Sequence, residues 1–264
     1  MIVAAAQAAA VAGDLAANVA TAVRLVSLAG SQGVQLLVLP EAFLTGYDAE
    51  VFAGLAVPRA DDLDGAWLAP LREAAAVHGT VVVTSTPLER GDRRTLSMLV
   101  VRPDGTVAAP YDKQHLDADE RPYFAAGDHG ASITVDGVEL GLSICHDSSF
   151  PEHARAAADD GAAAYLCSAA FFPGGAHRRD TALAARALDN GMYVVLAAAT
   201  GRCGPHTFIG GSAVLDPEGR AIALLGEEPG LAVAELDPAL VTQTREARTM
   251  HADRVASLGP RVRG

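Results

Sequence analysis

The stretch Val138-Glu139-Leu140-Gly141-Leu142-Ser143-Ile144-Cys145-His146-Asp147-Ser148-Ser149-Phe150-Pro151-Glu152 passes from an almost continuous apolar run into a polar turn and then into a proline-led segment. The apolar run reads as a buried strand, because a strand covered on both faces needs no polar alternation. From Pro151 to Asp160 the sequence reads as a helix, proline being tolerated in a first helical turn, and Ala163 to Leu166 resumes a strand. Strand, turn, helix and strand make the repeating unit of α/β folds in which helices cover sheets.

Outward from this unit the pattern recurs. Further apolar runs lie at Ile2 to Ala6, Leu36 to Leu39, Thr80 to Thr84, Leu96 to Val101 and Tyr193 to Ala198. Between the first two, Asp14 is placed to cap a helix on which Leu15, Val19, Ala22, Val23 and Val26 share a face. Additional helices are expected from about Gly65 to His78 and from Arg178 to Asn190. Three turn signals, Pro103-Asp104-Gly105, Asp136-Gly137 and Asp216-Pro217-Glu218-Gly219, each lie between strand-like runs as hairpins require. A purely parallel sheet therefore does not fit.

With 264 residues, half of them hydrophobic, the chain can bury one large core, and a single domain spanning 1–264 is expected. A net charge of -12 without a basic run argues against nucleic acid as a partner. No apolar stretch approaches the ~20 residues that cross a bilayer, and Met1-Ile2-Val3 opens no charged leader. Three cysteines, an odd number, suit reduced thiols rather than a disulfide framework. A protein of the cytoplasm, with no membrane contact, is expected. The stretch from Arg245 to Gly264 is charged and weakly periodic, and reads as a tail that packs on a partner subunit.

Three polar residues stand where strand readings end, the place where open α/β sheets collect functional groups: Glu41, Lys113 and Cys145. Singly, each has an ordinary structural reading as a loop glutamate, an exposed lysine or an inert core thiol. Together with their neighbours they resemble a family. Leu39-Pro40-Glu41-Ala42-Phe43-Leu44-Thr45-Gly46-Tyr47, Tyr111-Asp112-Lys113-Gln114-His115-Leu116 and Cys145-His146-Asp147-Ser148-Ser149-Phe150-Pro151-Glu152 look like the three signatures of the nitrilase superfamily of carbon-nitrogen hydrolases, in family order. The resemblance extends through Glu120 to Gly127, Ala185 to Asn190 and Gly211 to Pro217, and so covers nearly the whole chain.

That resemblance implies a four-layer αββα sandwich of two packed mixed sheets and a Glu-Lys-Cys triad at Glu41, Lys113 and Cys145. It also implies a second glutamate at Glu120 that orients lysine and substrate, with substrate or oxyanion contacts at His146, through its backbone N–H, and at Tyr47 and Phe171. Family members often pair through the helices beside the triad, which implies a homodimer or higher homo-oligomer here.

The residue types suit the chemistry. A thiol must lose its proton before attacking a carbonyl, and a positioned carboxylate such as Glu41 can take that proton and return it to the leaving amine. A lysine ammonium beside the thiol favours the thiolate and steadies the tetrahedral oxyanion. The expected reaction is hydrolysis of a small aliphatic amide, ω-amide or N-carbamoyl compound through a thioester, releasing a carboxylic acid and ammonia or an amine. No metal or organic cofactor is required. His146 stands where an aromatic residue is common in the family, Ser149 stands where an arginine is usual, and Asp147 replaces part of the Trp-Glu pair of true nitrilases. The resemblance therefore leans toward amidase or N-carbamoyl hydrolysis.

Other readings compete. Nitrile hydrolysis on the same triad is the nearest. A metal-binding protein using Cys145, His146, Cys203 and His206 is another, since thiolate and imidazole suit zinc. An interaction module on a degenerate hydrolase scaffold is a third. A serine hydrolase is disfavoured because Gly141-Leu142-Ser143-Ile144-Cys145 lacks the second glycine of a nucleophile elbow. If the strand runs on through His146, adjacent side chains point to opposite faces, so His146 is expected to line the pocket or support structure rather than form a dyad with Cys145. Cys203 reads as a loop thiol and Cys167 as a core side chain. Arg155, Arg178, Arg186 and His177 are candidates to meet a substrate carboxylate, with structural pairing the ordinary fate of each.

Overall fold

The computed structural model describes residues 1–54, 57–250, 252–255 and 257–264. Its first half contains β1 (Ile2–Gln7), α1 (Leu15–Gly30), β2 (Leu36–Val38), α2 (Ala49–Gly54), α3 (Ala69–His78), β3 (Val81–Arg90), β4 (Arg93–Val101) and β5 (Val107–Asp112). Then follow β6 (Ser132–Val135), β7 (Val138–Ile144), a 3-10 turn at Cys145–Ser149, α4 (Pro151–Asp159), β8 (Ala164–Ala169), α5 (Ala176–Asn190) and β9 (Tyr193–Ala198). The chain ends with β10 (Thr200–Cys203), β11 (His206–Ile209), β12 (Ala213–Leu215), β13 (Ala221–Leu224), β14 (Gly230–Glu235) and α6 (Pro238–Ala247).

Two mixed sheets of six strands result, ordered β14-β1-β2-β3-β4-β5 and β13-β12-β9-β8-β7-β6, with β10 and β11 forming a separate ribbon. Each sheet is built on a parallel trio, β1 to β3 in one and β7 to β9 in the other. The helices α1 and α3, then α4 and α5, make the crossovers that parallel strands demand. At the three turn signals the chain reverses into antiparallel pairs, β4 with β5, β6 with β7 and β12 with β13.

Period-two alternation sorts the side chains into layers. On β2, Leu36 and Val38 face the space between the sheets while Leu37 turns outward toward α1 and α3. On β8, Ala164 and Leu166 point inward, and Tyr165, Cys167 and Ala169 point toward α4 and α5. The order is helix, sheet, sheet, helix: a four-layer αββα sandwich in one domain. Cys167 is a core side chain of the outer layer, and burial pushes its thiol up to about 12.

Several details differ from the sequence expectations. Helix α1 is capped by Asp14, whose side chain accepts from the Ala17 N–H at 2.9 Å, but its buried stripe runs through Asn18, Val19, Ala22, Leu25, Val26 and Ala29. Leu15 and Val23 lie at its margin, only half-buried. Helix α3 begins at Ala69 rather than Gly65, because the intervening residues close turns and Pro70 opens the helix. Cys203 is not a loop thiol: it ends β10 and is buried in the central core.

The supposed tail also begins later. Arg245 lies within α6 and donates from Nε to the Asn190 carbonyl at 3.1 Å and from Nη2 to the Ala162 carbonyl at 2.8 Å, docking the helix on the sandwich. Of the stretch 245–264, residues 251 and 256 lie outside the described residues. Among the described residues no helix is long and apolar enough to cross a membrane.

Candidate active site

Glu41 lies just beyond β2, Lys113 directly follows β5, and Cys145 directly follows β7. The Lys113 backbone is fixed from both sides: its N–H donates to the Leu96 carbonyl at 2.8 Å, and its carbonyl accepts from the Gly127 N–H at 2.9 Å. A Cβ at residue 127 would stand 2.2 Å from the Asp112 carbonyl oxygen. Glycine is what lets the 114–126 loop close back on the lysine.

That loop delivers Glu120. Lys113 Nζ donates to Glu41 Oε1 and to Glu120 Oε1, each at 2.7 Å, and all three side chains are 1% exposed. The Tyr47 hydroxyl donates to Glu120 Oε1 at 3.0 Å and the Asp117 N–H to Glu120 Oε2 at 2.9 Å. Glu41 Oε2 is buried without a hydrogen-bond partner among the described residues. Burial pushes the Glu41 carboxyl up to about 7, against the opposing pull of the Lys113 ammonium. Burial also disfavours the charged lysine, but Glu41, Cys145 and Glu120 together outweigh it and raise the Lys113 pKa, so the ammonium persists.

Cys145 opens the 3-10 turn at a φ of 45°, a left-handed conformation costly for a residue with a side chain. Its Sγ lies 3.6 Å from the Ala170 carbonyl. Burial, followed by the charge of Glu41, pushes the thiol well above its ordinary value, with Lys113 pulling the other way. The lysine pulls toward the thiolate, as expected, but burial and the Glu41 charge outweigh it in the resting site. The arrangement is a protonated thiol near a carboxylate with one unengaged oxygen and beside a fixed cation.

The supports of this cluster were not visible in the sequence. Ala42, also strained at a φ of 48°, donates its N–H to Ser85 Oγ at 2.9 Å. Ser85 Oγ meets Ser168 Oγ at 3.0 Å, and Ser168 Oγ donates to the Leu39 carbonyl at 2.7 Å. A serine from β3 in one sheet and a serine from β8 in the other therefore hold both flanks of Glu41. On the Cys145 side, buried Arg186 donates from Nε to the Ser148 carbonyl at 2.9 Å and from Nη2 to the Ser149 carbonyl at 3.1 Å.

A cavity of about 310 Å³ opens onto Lys113, Glu120 and Cys145. Tyr47, Phe171 and Phe172 contribute aromatic walls, and His146, Ser149 and Arg178 contribute polar surface. The strand ends at Ile144, so the premise that His146 continues it fails. Its ring instead packs edge-on against Phe150 with centroids 5.2 Å apart, and its Nδ1 lies 3.9 Å from Asp117. As the second residue of the turn, its backbone N–H lacks an acceptor within the turn.

Comparison with known proteins supplies the family. Residues 2–246 match the family model described as carbon-nitrogen hydrolase. The chain belongs to this family. Among its relatives is the deaminated glutathione amidase of Escherichia coli O157:H7, 36% identical over 84% of this chain and 85% of that protein. Another is the 2-oxoglutaramate amidase of Bacillus subtilis, 31% identical over 82% of this chain and 83% of that one. An amidase of the nitrilase superfamily from Nesterenkonia sp. AN1 superposes with a TM-score of 0.82 at 31% identity, covering 96% of this chain and 97% of the other. In a mutant of that amidase, the acetamide moiety of fluoroacetamide is added covalently at the active site cysteine.

Within this carbon-nitrogen hydrolase, Cys145, His146, Cys203 and His206 do not converge as a metal-ligand set among the described residues. The set that does is His115, Asp147 and His153, whose ligand-type atoms lie within 4.8 Å of one another. Those atoms are committed elsewhere. Asp147 accepts from the Ile144 N–H at 3.0 Å, the His115 N–H at 2.9 Å and the Tyr111 hydroxyl at 2.6 Å, and lies 2.9 Å from His115 Nδ1. The two nitrogens of His153 meet the hydroxyls of Tyr111 and Tyr165 at 2.9 and 2.8 Å. Burial would raise the Asp147 carboxyl, but these hydrogen bonds and the neighbouring His153 hold it below the usual range. The cluster is a brace joining the Lys113 loop to the Cys145 turn of the hydrolase.

Proposed function

We propose that this carbon-nitrogen hydrolase is an amidase that works through a thioester on Cys145. The observation that carries the reading is the cluster of Glu41, Lys113 and Glu120, held at 2.7 Å contacts away from solvent, with Lys113 and Glu120 lining the cavity that Cys145 also lines. The amidase names of its relatives favour the same reading.

In the proposed reaction, Glu41 takes the thiol proton as Sγ bonds to the amide carbon, and the carbonyl oxygen becomes an oxyanion. The Lys113 ammonium and the His146 N–H face that charge. Glu41 then gives its proton to the leaving nitrogen, the carbon-nitrogen bond breaks, and ammonia or an amine departs. Water enters, loses a proton to Glu41 and attacks the thioester, and the acid leaves as the thiol is reprotonated. Glu120, held by Tyr47 and Asp117, fixes the lysine. Phe171 walls the acyl site.

The test is ammonia release from simple amides, N-carbamoyl compounds and nitriles, together with intact-mass detection of an acyl adduct. An adduct on wild type that vanishes in Cys145→Ser is expected with the amides. Ammonia released without any dependence on Cys145 would overturn the assignment.

A further inference from the structure

Of the four cationic candidates for a substrate carboxylate, the structure leaves one. Arg186 is buried and spent on the Ser148 and Ser149 carbonyls. Arg155 donates to the Asp189 carbonyl on the outer helices. His177 is exposed and does not line the cavity. Arg178, in the first turn of α5, lines the cavity that contains Cys145, is exposed, and has no hydrogen-bond or ion-pair partner among the described residues.

No ion pair joins it to an acid among the described residues. Asp180 is engaged by Arg179 Nε at 2.7 Å. Asp117, the exposed acid of the cavity, accepts from the Ala118 N–H at 2.6 Å and faces His146. At the floor the situation is reversed, since two carboxylates, Glu41 and Glu120, share one ammonium. An anionic group would be repelled there and welcomed at the rim. The cavity thus has a polarity: an uncharged amide fits at Cys145 and a negative charge fits at Arg178.

Size narrows the class. A cavity of about 310 Å³ lies at the small end of the range for small-molecule sites, which suits a short substrate. Resting on the amidase reading above, we infer that the substrate is a short ω-amide, the monoamide of a four- or five-carbon dicarboxylic acid, with Arg178 as the residue that reads its free carboxylate.

The test compares kcat/KM for succinamate and glutaramate with that for butyramide and valeramide. Wild type should favour the acids, and Arg178→Ala should cut the ratio of acid to neutral amide on the order of tenfold, chiefly through KM, the range for a charge-assisted contact at an exposed site. Arg178→Glu should shift preference toward the cationic 4-aminobutanamide, and raised salt should erode the acid preference of wild type. Turnover of amides with no preference for the acids, or a ratio that Arg178→Ala leaves unmoved, overturns this inference alone. Absence of ammonia from every amide overturns the amidase reading as well.

Discussion

Glu41 Oε1 and Lys113 Nζ stand 2.7 Å apart with both side chains shut away from solvent, and the same nitrogen is shared equally with Glu120. Two acids compete for one cation in a region of low polarity. The strain falls on Glu41, whose carboxyl is pushed up to about 7 by burial, and this sets the first expectation.

As the proposed base, Glu41 acts when ionised, so kcat/KM should rise with pH along an acid limb centred near 7, a value belonging to the coupled cluster. Stability should move the opposite way. A carboxyl raised from its ordinary 4.5 to about 7 holds an extra proton in the folded state between those values. Its stabilising contribution is complete below 4.5 and is lost as pH rises through 7. Urea unfolding at pH 5, 6, 7 and 8 should show this slope in wild type, and Glu41→Gln should flatten it while abolishing turnover.

Lys113→Met removes the cation and leaves two buried acids facing each other. A loss of about 3–5 kcal/mol in unfolding free energy is expected above pH 7, easing at lower pH as one acid takes a proton. Turnover should fall by roughly 10²–10³ or more with a smaller change in KM, since the role proposed for the ammonium is on the oxyanion. A raised KM with kcat intact would reduce the lysine to a binding group.

Cys145→Ala should keep the fold and lose on the order of 10⁴-fold or more in turnover. Amide binding, followed by calorimetry, should survive. Iodoacetamide labelling followed by peptide mapping should find wild-type Cys145, and its rate should climb steeply in alkali, because the thiol is raised well above its ordinary range.

Asp147→Asn tests the brace. The carboxylate joins the Ile144 and His115 backbones and the Tyr111 hydroxyl, and an amide accepts through one oxygen only. We expect a stability loss of about 1–3 kcal/mol and a fall in kcat at nearly constant KM. Full activity in a destabilised variant would show that the brace serves folding alone.

The parallel trios and three hairpins could be read from the sequence because their signals are local, as in the apolar run ending at Ile144 and the turn at Asp136-Gly137. Helix α6 escaped notice although Asp237 caps it and Pro238 opens it, since Val241 alone is buried and the helix shows no long apolar stripe. Glu120 could be placed only through the family pattern, because its surroundings, Asp117-Ala118-Asp119-Glu120-Arg121, look like a solvated charge run. Its burial comes from contacts with Lys113 and Tyr47, residues 7 and 73 positions away. Ser85 and Ser168 carried no signal at all, for a serine in an apolar strand looks the same whether it is idle or bonded across 83 positions.

That serine contact has a consequence for how the protein can change over time. Because one hydroxyl pair spans both sheets and grips the backbone on either side of Glu41, the gap between the sheets acts as a gauge for the proposed base. A bulkier or slimmer side chain deep in the sandwich, far from any substrate, would reset that gauge and register as an altered reaction rate. Drift in the interior is therefore constrained by chemistry as well as by packing, most tightly along the line from β3 to β8.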